Sequence, residues 1–311
     1  MKIPMFVMGF LVGVNIGRAD ETNLRISHSD LFAAFELNQE SLESYDVLVV
    51  RKELFFGSDD SSKEKEIRHR IRNDIGNDRL LSVIFGSDKL DESTKRYANC
   101  LIADGQKIKH DIDLYRNKTI PRRSPPSLKY CFLTQFVPEF RTTGLADFPG
   151  TFKYPQPDVW REQFIAYKAK QTTRVKLSGN RAEVACALDK QPFLYTMTFD
   201  LTRNLIVHRE VHQLVRSPKD KIIKKLFMFE ESIDWTEING VYVPSKLRYF
   251  RSVPTAGMKM DSEQREVHFT WFTVNEDFSE DAFDVSLGDS YQDLEKLVSP
   301  GKQNRGLNNG Q

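Results

Sequence analysis

The chain has 311 residues, of which 40% are hydrophobic and 29% are charged. This composition is typical of a globular protein and excludes a disordered or collagen-like chain. Lys and Arg together number 45 and Asp and Glu number 44. The balanced charge gives no reason to expect a nucleic-acid partner or a charged membrane surface as partner.

The first nineteen residues, 1–19, are expected to be a signal peptide. Lys2 gives a positive start, residues 4–16 carry no charge, and Gly17 and Ala19 are small residues before the expected cleavage between Ala19 and Asp20. The apolar stretch has about 14 residues, whereas a membrane-spanning helix needs roughly 20. We therefore expect a secreted or periplasmic protein with no integral membrane segment after signal cleavage.

Cysteine usage indicates a fold that does not depend on cross-links. The chain has three cysteines, namely Cys100, Cys131 and Cys186. An odd number allows at most one disulfide, and the spacing matches no zinc cluster. We interpret the cysteines as small buried hydrophobic residues, although two of them could also form a disulfide.

Two helices are predicted within a chain made mostly of strands. The first extends from about residue 29 to Tyr45, because Leu31, Phe35 and Leu42 recur at helical spacing after a run of capping residues. The second extends from residue 158 to 170, with Asp158 as N-cap. Alternating apolar and polar residues predict strands over 47–56, 67–72, 80–85 and 97–114, and an antiparallel meander from Thr173 onward.

Residues 117–127 contain three prolines and could either divide two domains or form a surface loop within one domain. The last residues, 299–311, are polar and rich in Gly and Asn, and we expect a disordered tail there. The strand pattern by itself predicts a large antiparallel sheet, sandwich or barrel.

The segment 231–244 carries a resemblance to a known family. Asn239-Gly240 predicts a type I′ turn in this segment, followed by a strand that meets Pro244. Together with the signal peptide, the helix, the strands and the later meander, it resembles the secreted bacterial proteins of the outer-membrane lipoprotein-sorting (LolA-like) superfamily over most of residues 29–290. The resemblance implies an α+β, mainly antiparallel β fold, in which a curved half-barrel sheet is covered by one or two helices. It also implies a single domain over 20–298, with 117–127 as a loop.

The sequence contains no recognisable catalytic or cofactor motif. It has no Gly-rich phosphate loop, no G-x-S-x-G elbow and no H-E-x-x-H. His208, Glu210 and His212 share a strand face and are zinc-competent residue types, but alternate residues on a flat strand are too far apart to hold one ion easily. We interpret this row, and the row Arg68, Arg70 and Arg72, as solvated strand faces. No enzyme activity, cofactor or metal site is expected.

The resulting hypothesis is a non-enzymatic envelope protein that binds or carries a hydrophobic ligand, such as an acyl chain or a lipoprotein. Residues two apart on a strand share a face, and the candidate ligand-binding residues on two strands are Phe227, Phe229, Ile233, Trp235, Val267, Phe269 and Trp271. The alternatives are a structural or protein-interaction module with a packed core, and an envelope enzyme or metal-binding protein.

Overall fold

The structure is a computed structural model that describes residues 27–56, 62–90, 93–104, 107–115, 118–121, 139–145, 159–168, 172–187, 193–216, 222–254, 260–283 and 291–299. The expected signal peptide and its cleavage site, Cys131 and residues 300–311 of the expected tail lie outside the described residues.

Thirteen antiparallel strands form one open sheet in the described part of the chain. In chain order they are β1 (Ser44–Phe56), β2 (Ser62–Asp74), β3 (Arg79–Leu90), β4 (Ser93–Asp104), β5 (Lys107–Tyr115), β6 (Lys118–Pro121), β7 (Thr172–Ser178), β8 (Arg181–Ala187), β9 (Phe193–Asp200), β10 (Leu205–Arg216), β11 (Ile222–Ile238), β12 (Val241–Pro254) and β13 (Met260–Val274). The mainly antiparallel fold predicted from the sequence is therefore confirmed.

The sheet consists of two meanders that meet in its middle. The first runs outward from β1 to the edge strand β6, and the second starts at the opposite edge with β7 and returns inward to β13. The strands β1 and β13 pair over their whole length, from Tyr45 opposite Val274 to Phe56 opposite Ser262. Strands from both sides of 117–127 therefore belong to one sheet, and the single domain stays a prediction.

The Pro-rich stretch 117–127 is not a loop throughout. Its residues Lys118–Pro121 form β6, which pairs with β5 at one edge of the sheet. Proline removes a backbone donor, and an edge strand tolerates this loss because its outer side has no ladder partner. Residues 122–127 lie outside the described residues.

Among the described residues, three α-helices accompany the sheet: α1 (His28–Glu40), α2 (Val159–Lys168) and α3 (Tyr291–Val298). Short 3₁₀ helices occur at Phe140–Thr142 and Glu280–Phe283. None of the helices in the described ranges is long and apolar enough to cross a membrane.

Helix α1 begins as predicted but ends earlier. The Ser27 hydroxyl accepts a hydrogen bond from the Asp30 N–H, and the Asp30 carboxylate accepts one from the Ser27 N–H, which completes a capping box. The helix was predicted to reach Tyr45, which instead lies in β1. The physical reason is Asn275, whose Oδ1 accepts hydrogen bonds from the N–H groups of Glu43 and Ser44 at 2.8 and 3.2 Å and holds the chain in an extended conformation beside the end of β13.

The sheet buries apolar side chains on both faces. We call the face that carries α1 and α2 the inner face, and its buried residues, centred on Phe35, Val47, Phe140 and Trp235, the inner cluster. The outer face has a smaller outer cluster, made of Leu48, Leu81, Val83, Phe85, Ala98, Cys100 and Ile102 from the sheet with Phe283, Leu294 and Val298. Because successive side chains of β1 alternate between the faces, Val47 belongs to the inner cluster and Leu48 to the outer one.

Candidate functional site

The candidate site is the aromatic layer between the inner face of the sheet and helices α1 and α2. The Phe35 ring of α1 lies 5.4 Å from the Phe164 ring of α2 and 6.1 Å from the Trp235 ring of β11. The Phe32 ring lies 5.2 Å from the Phe199 ring of β9. The helices therefore contact the sheet through aromatic side chains at the distances of well-packed rings.

The segment 139–145 fills the layer on the β13 side. The Phe140 ring is buried and lies 5.2 Å from the rings of both Tyr45 and Trp271. Gly144 has a φ of +90°, and a side chain there would meet Ile233 at 3.0 Å. Only a glycine combines this backbone conformation with such a close approach to the sheet.

Hydrogen bonds hold the large rings of the layer in fixed orientations. The Trp235 indole donates to the Ile206 carbonyl at 2.7 Å, and the Trp271 indole donates to the Pro244 carbonyl at 2.7 Å. Each indole thus buries its apolar surface while its N–H group is satisfied by a neighbouring strand.

The structure brings most of the predicted ligand residues together. Those in the inner cluster are Phe229, Ile233, Trp235, Val267 and Phe269, and the partly buried Trp271 packs against it. These positions agree with the sequence expectation that they share one face. Whether they contact a ligand stays a prediction.

Phe227 lies apart from the other predicted ligand residues. Val211 pairs with Phe229, but the next residue, His212, pairs with Phe227, so the ladder contains an irregularity at this point. The Phe227 ring accordingly lies 5.8 Å from His212 and 5.9 Å from Phe250, whereas Phe229 contacts Tyr249. A bulge reverses the alternation of side chains, and this is why the rule of two-residue spacing fails for Phe227.

A buried ion pair adjoins the aromatic layer on the inner face. Arg209 and Glu231 face each other on β10 and β11 and are 1% and 0% exposed, with 3.3 Å between their charged atoms. Arg209 also donates to the Leu145 carbonyl at 2.8 Å, and its guanidinium lies 4.8 Å from the centre of the Phe229 ring. The cation therefore links the sheet, the segment 139–145 and the aromatic layer.

The ion pair belongs to a row of charged residues across the sheet. Following the strand registers, Glu231 is opposite Tyr249, Tyr249 is opposite Arg265, and Arg265 is opposite Glu53. Glu53 also pairs with Arg51, at 2.9 Å. This charged row crosses the inner face between Phe229 and Ile233, and both of these residues belong to the inner cluster.

The charged row was missed by the sequence reasoning. The signal was present in β11, where Glu231 interrupts the apolar alternation of Phe229, Ile233 and Trp235. A charge at a core-facing position of a strand indicates a buried pair, because an unpaired charge there would be strongly destabilising.

His69 lies on the same inner face, opposite Val49, and is buried. Its Nε2 is 2.8 Å from the Ser82 hydroxyl. Burial, together with the nearby positive charge of Arg51, lowers the pKa of His69 from 6.5 to about 3. The imidazole is therefore neutral at physiological pH and serves as a hydrogen-bonding group.

The outer face carries polar groups around an open groove of about 1060 Å³. Residues of five neighbouring strands, β2, β1, β13, β12 and β11, line it, among them Lys52, Glu64, Glu230, Ser232, Arg248 and Phe250. The lining mixes both charges with Leu54 and the aromatic rings of Tyr249 and Phe250.

Other residues singled out in the sequence have ordinary structural partners. Arg70 and Arg72 both pair with Asp46, at 2.6 and 2.9 Å, and Arg68 pairs with Glu66 at 2.8 Å. The row was predicted to be a solvated strand face, but the side chains of Arg70 and Arg72 are only 13% and 23% exposed, because both pair with the buried carboxylate of Asp46.

Two of the cysteines lie in different clusters. Cys100 is buried in the outer cluster and Cys186 in the inner cluster, on opposite faces of the sheet. A disulfide between these two is therefore excluded by geometry, because the two Cβ atoms of a bridge lie within about 4.5 Å of each other.

No family model matches the sequence, and no curated protein matches it significantly. Solved structures do have a similar fold. A LolA superfamily protein from Nitrosomonas europaea is 10% identical, with a TM-score of 0.40 over 83% of this chain and 97% of that chain. A DUF1329 family protein from Desulfovibrio piger is 9% identical, with a TM-score of 0.38 over 82% and 96%.

A domain assigned to outer-membrane lipoprotein sorting from Vibrio parahaemolyticus is 7% identical, with a TM-score of 0.38 over 86% of this chain and 98% of that chain. The LolA-like superfamily named from the sequence therefore recurs among the similar solved structures. At identities of 7–10% and TM-scores of 0.38–0.40, these likenesses support no statement about a family, a ligand or an activity of this chain.

Proposed function

We propose that the protein is a non-enzymatic envelope protein that binds or carries an acyl chain, free or attached to a lipoprotein, between the inner face of the sheet and helices α1 and α2. The observation that supports the proposal is the aromatic layer itself. Its sheet side presents Phe229, Trp235, Phe269 and Trp271, and it is covered by two short helices instead of a second sheet.

The helices are tied to each other by charged contacts. Lys168 pairs with Glu36, and Arg161 pairs with Glu40 at 2.6 Å. Helix α1 also contacts the turn between β9 and β10, where the Asn38 amide donates a hydrogen bond to the Arg203 carbonyl at 2.6 Å. The two helices could therefore move away from the sheet as one unit, which would expose the aromatic layer to a ligand.

An acyl chain that replaced the helix side chains would bury its own apolar surface, at about 0.8 kcal/mol per CH₂ group. The charged row would then accommodate a polar head group at Arg265, whose side chain is partly exposed. The proposed ligand is accordingly amphipathic, with one apolar and one charged end.

A second candidate function is a structural or protein-interaction module of the envelope. The observation that favours it is the close packing of the layer, in which Phe140 contacts Tyr45, Phe269 and Trp271 at ring distances of 5.2–6.0 Å. A packed layer stabilises the fold without any ligand.

Tryptophan fluorescence separates the two functions, because all three tryptophans of the chain, Trp160, Trp235 and Trp271, belong to this layer or pack against it. We expect palmitate and a diacylated lipopeptide to change the fluorescence in a saturable way, and native mass spectrometry to find lipid bound to the purified protein. Bare protein together with unchanged fluorescence would support the structural module.

Matched variants of α2 sharpen this test. Phe164 is buried in the layer, whereas the next residue, Ile165, is 60% exposed. We expect Phe164→Ala to enlarge the space for a chain and to increase the fluorescence response to palmitate, and Ile165→Ala to respond like the wild type. Equal responses of both variants would contradict a ligand site in the layer.

Export to the envelope is part of the proposal. It rests on Lys2, the uncharged stretch 4–16 and the small residues Gly17 and Ala19. Intact-mass measurement of the protein from its native cells should show a chain that begins near Asp20. A full-length species in the cytoplasm would contradict it.

A further inference from the structure

An imidazole and two carboxylates meet on the outer face between β10 and β11. Glu210 of β10 is directly opposite Glu230 of β11, and His208 lies two residues before Glu210 on the same face. One ligand atom from each of the three residues lies within 4.8 Å of the other two. The third group is therefore Glu230 of the neighbouring strand β11, and not His212 of β10.

The two carboxylates lack cationic side chains to offset their charges. Within the described ranges, the salt-bridge partner of Glu210 is His208, at 3.2 Å, and Glu230 has none. Like charges directly opposite each other on neighbouring strands destabilise a sheet. A bound cation would remove this repulsion.

The donor set matches a transition-metal ion. A neutral imidazole and carboxylate oxygens are ligands of Zn²⁺ and similar divalent ions, and sites with three protein ligands leave coordination positions open. The Nδ1 atom of His208 lies 3.1 Å from the Ser232 hydroxyl, which turns its Nε2 atom toward Glu210. Such an outer hydrogen bond is what orients histidine ligands in metal sites.

We propose that His208, Glu210 and Glu230 bind a divalent transition-metal ion of the zinc type. Glu230 and Ser232 also line the groove of the outer face, so the open coordination positions lie beside the groove and are filled by water or by an anionic group bound there. The site is on the face opposite to the aromatic layer and does not depend on the proposed acyl-chain function.

The structure explains why His212 is not the third ligand. The irregularity between Val211 and His212 shifts the register of the ladder, and the His212 ring packs against Phe227 at 5.8 Å. His212 is therefore a matched control on the same strand. His268 is a second control, because it contacts one carboxylate, that of Glu266, two residues away.

The experiment is isothermal titration of ZnCl₂ into the full chain, purified without an affinity tag and treated with a chelator that is then removed. We expect one zinc ion per chain at this site. Loss of a ligand in His208→Ala or Glu230→Gln should weaken this binding by more than the roughly 10–100-fold that is typical of outer-shell changes. His212→Ala and His268→Ala should bind zinc like the wild type.

Circular dichroism and urea unfolding will show whether each variant is folded. Since His208 and Glu210 are partly exposed, their replacement is expected to leave the fold intact, and Glu230→Gln is a nearly isosteric second variant. Absence of zinc binding by the wild type would overturn the proposal. Equal binding by His208→Ala, Glu230→Gln and the two control variants would overturn it as well.

Discussion

The two clusters on opposite faces of the sheet differ in the kind of residue that fills them. The inner cluster contains 12 aromatic residues among its 34 buried members, includes a charged row on the same face and is covered by two helices. The outer cluster is mainly aliphatic, with Phe85 and Phe283 as its aromatic members, and is covered by the single short helix α3. Because β1 contributes to both, the same strand supports the mainly aliphatic outer cluster and the aromatic layer in which the acyl-chain site is proposed.

The largest effect is expected from breaking the buried ion pair of the inner face. Glu231→Ala leaves the Arg209 charge buried without its carboxylate, and this should lower the free energy of unfolding by about 3–5 kcal/mol. Urea denaturation measures the loss. The control is Glu266→Ala, which removes an exposed partner of Lys246 and should lower the free energy of unfolding by no more than about 1 kcal/mol. Similar losses in both variants would show that the Arg209–Glu231 pair is not buried.

Large-to-small substitutions, one in each cluster, should show that palmitate stabilises the inner cluster and not the outer one. Phe35→Ala in the inner cluster and Leu81→Ala in the outer cluster should each lower the free energy of unfolding, by about 3–5 and 2–5 kcal/mol respectively. Palmitate is expected to recover part of the loss in Phe35→Ala, because ligand binding stabilises the native state, and none in Leu81→Ala. Thermal melting with and without palmitate is the measurement, and equal recovery would remove the distinction between the clusters.

The stability of the inner face should depend on pH through His69. Its pKa of about 3 lies below the value of 6.5 expected when it is exposed, so the unfolded chain binds a proton in this range that the native protein does not. Above about pH 6.5 both states hold a neutral His69, so His69 costs no stability there. Below about pH 6.5 the free energy of unfolding should fall by about 1.4 kcal/mol per pH unit. The loss at pH 5 should therefore be about 2 kcal/mol.

Urea unfolding at pH 7 and pH 5 tests this dependence. His69→Gln retains a hydrogen-bonding group toward Ser82 but has no titrating ring, so the difference between the two pH values should shrink by about 2 kcal/mol. His268→Gln, at an exposed position, serves as the control. Parallel pH dependence in wild type and His69→Gln would contradict the burial of a neutral imidazole.

The smallest loss of stability is expected in the segment 139–145, which fills the aromatic layer on the β13 side. Gly144→Ala places a side chain at a positive φ and against Ile233, and should cost about 1–3 kcal/mol. Gly179 also has a positive φ, but a side chain there would meet open space. Gly179→Ala should therefore be less destabilising in the same urea assay, and the difference measures the close packing of 139–145 on the sheet.

Much of the fold follows from local sequence patterns. Alternation of apolar and polar residues predicted the strands, and Asn239-Gly240 was predicted as a turn that the structure confirms with positive φ at both residues, 52° and 78°. Helix α3 was not predicted, although Leu294 and Val298 are four residues apart and both buried. Their helical spacing was the available signal.

The candidate sites were less predictable, because they depend on the register between strands. The position of Phe227 is set by an irregularity in the β10–β11 ladder, and the proximity of Glu230 to Glu210 is set by the pairing of the same two strands. A single strand gives the alternation of its own side chains but not the residue that lies opposite. The shared face of the inner residues could therefore be predicted from the sequence, whereas the proximity of Glu230 to His208 and Glu210 could not.

The pairing of β1 with β13 has a consequence for biogenesis. During synthesis the first meander is complete long before β13 exists, so β1 presents an unpaired edge until the last strand of the sheet arrives. Such an edge can pair with other chains, and closing contacts between distant parts of a sequence slows folding. A chain with this topology is expected to need a chaperone, or delayed folding, to keep that edge from aggregating before Val274 reaches Tyr45.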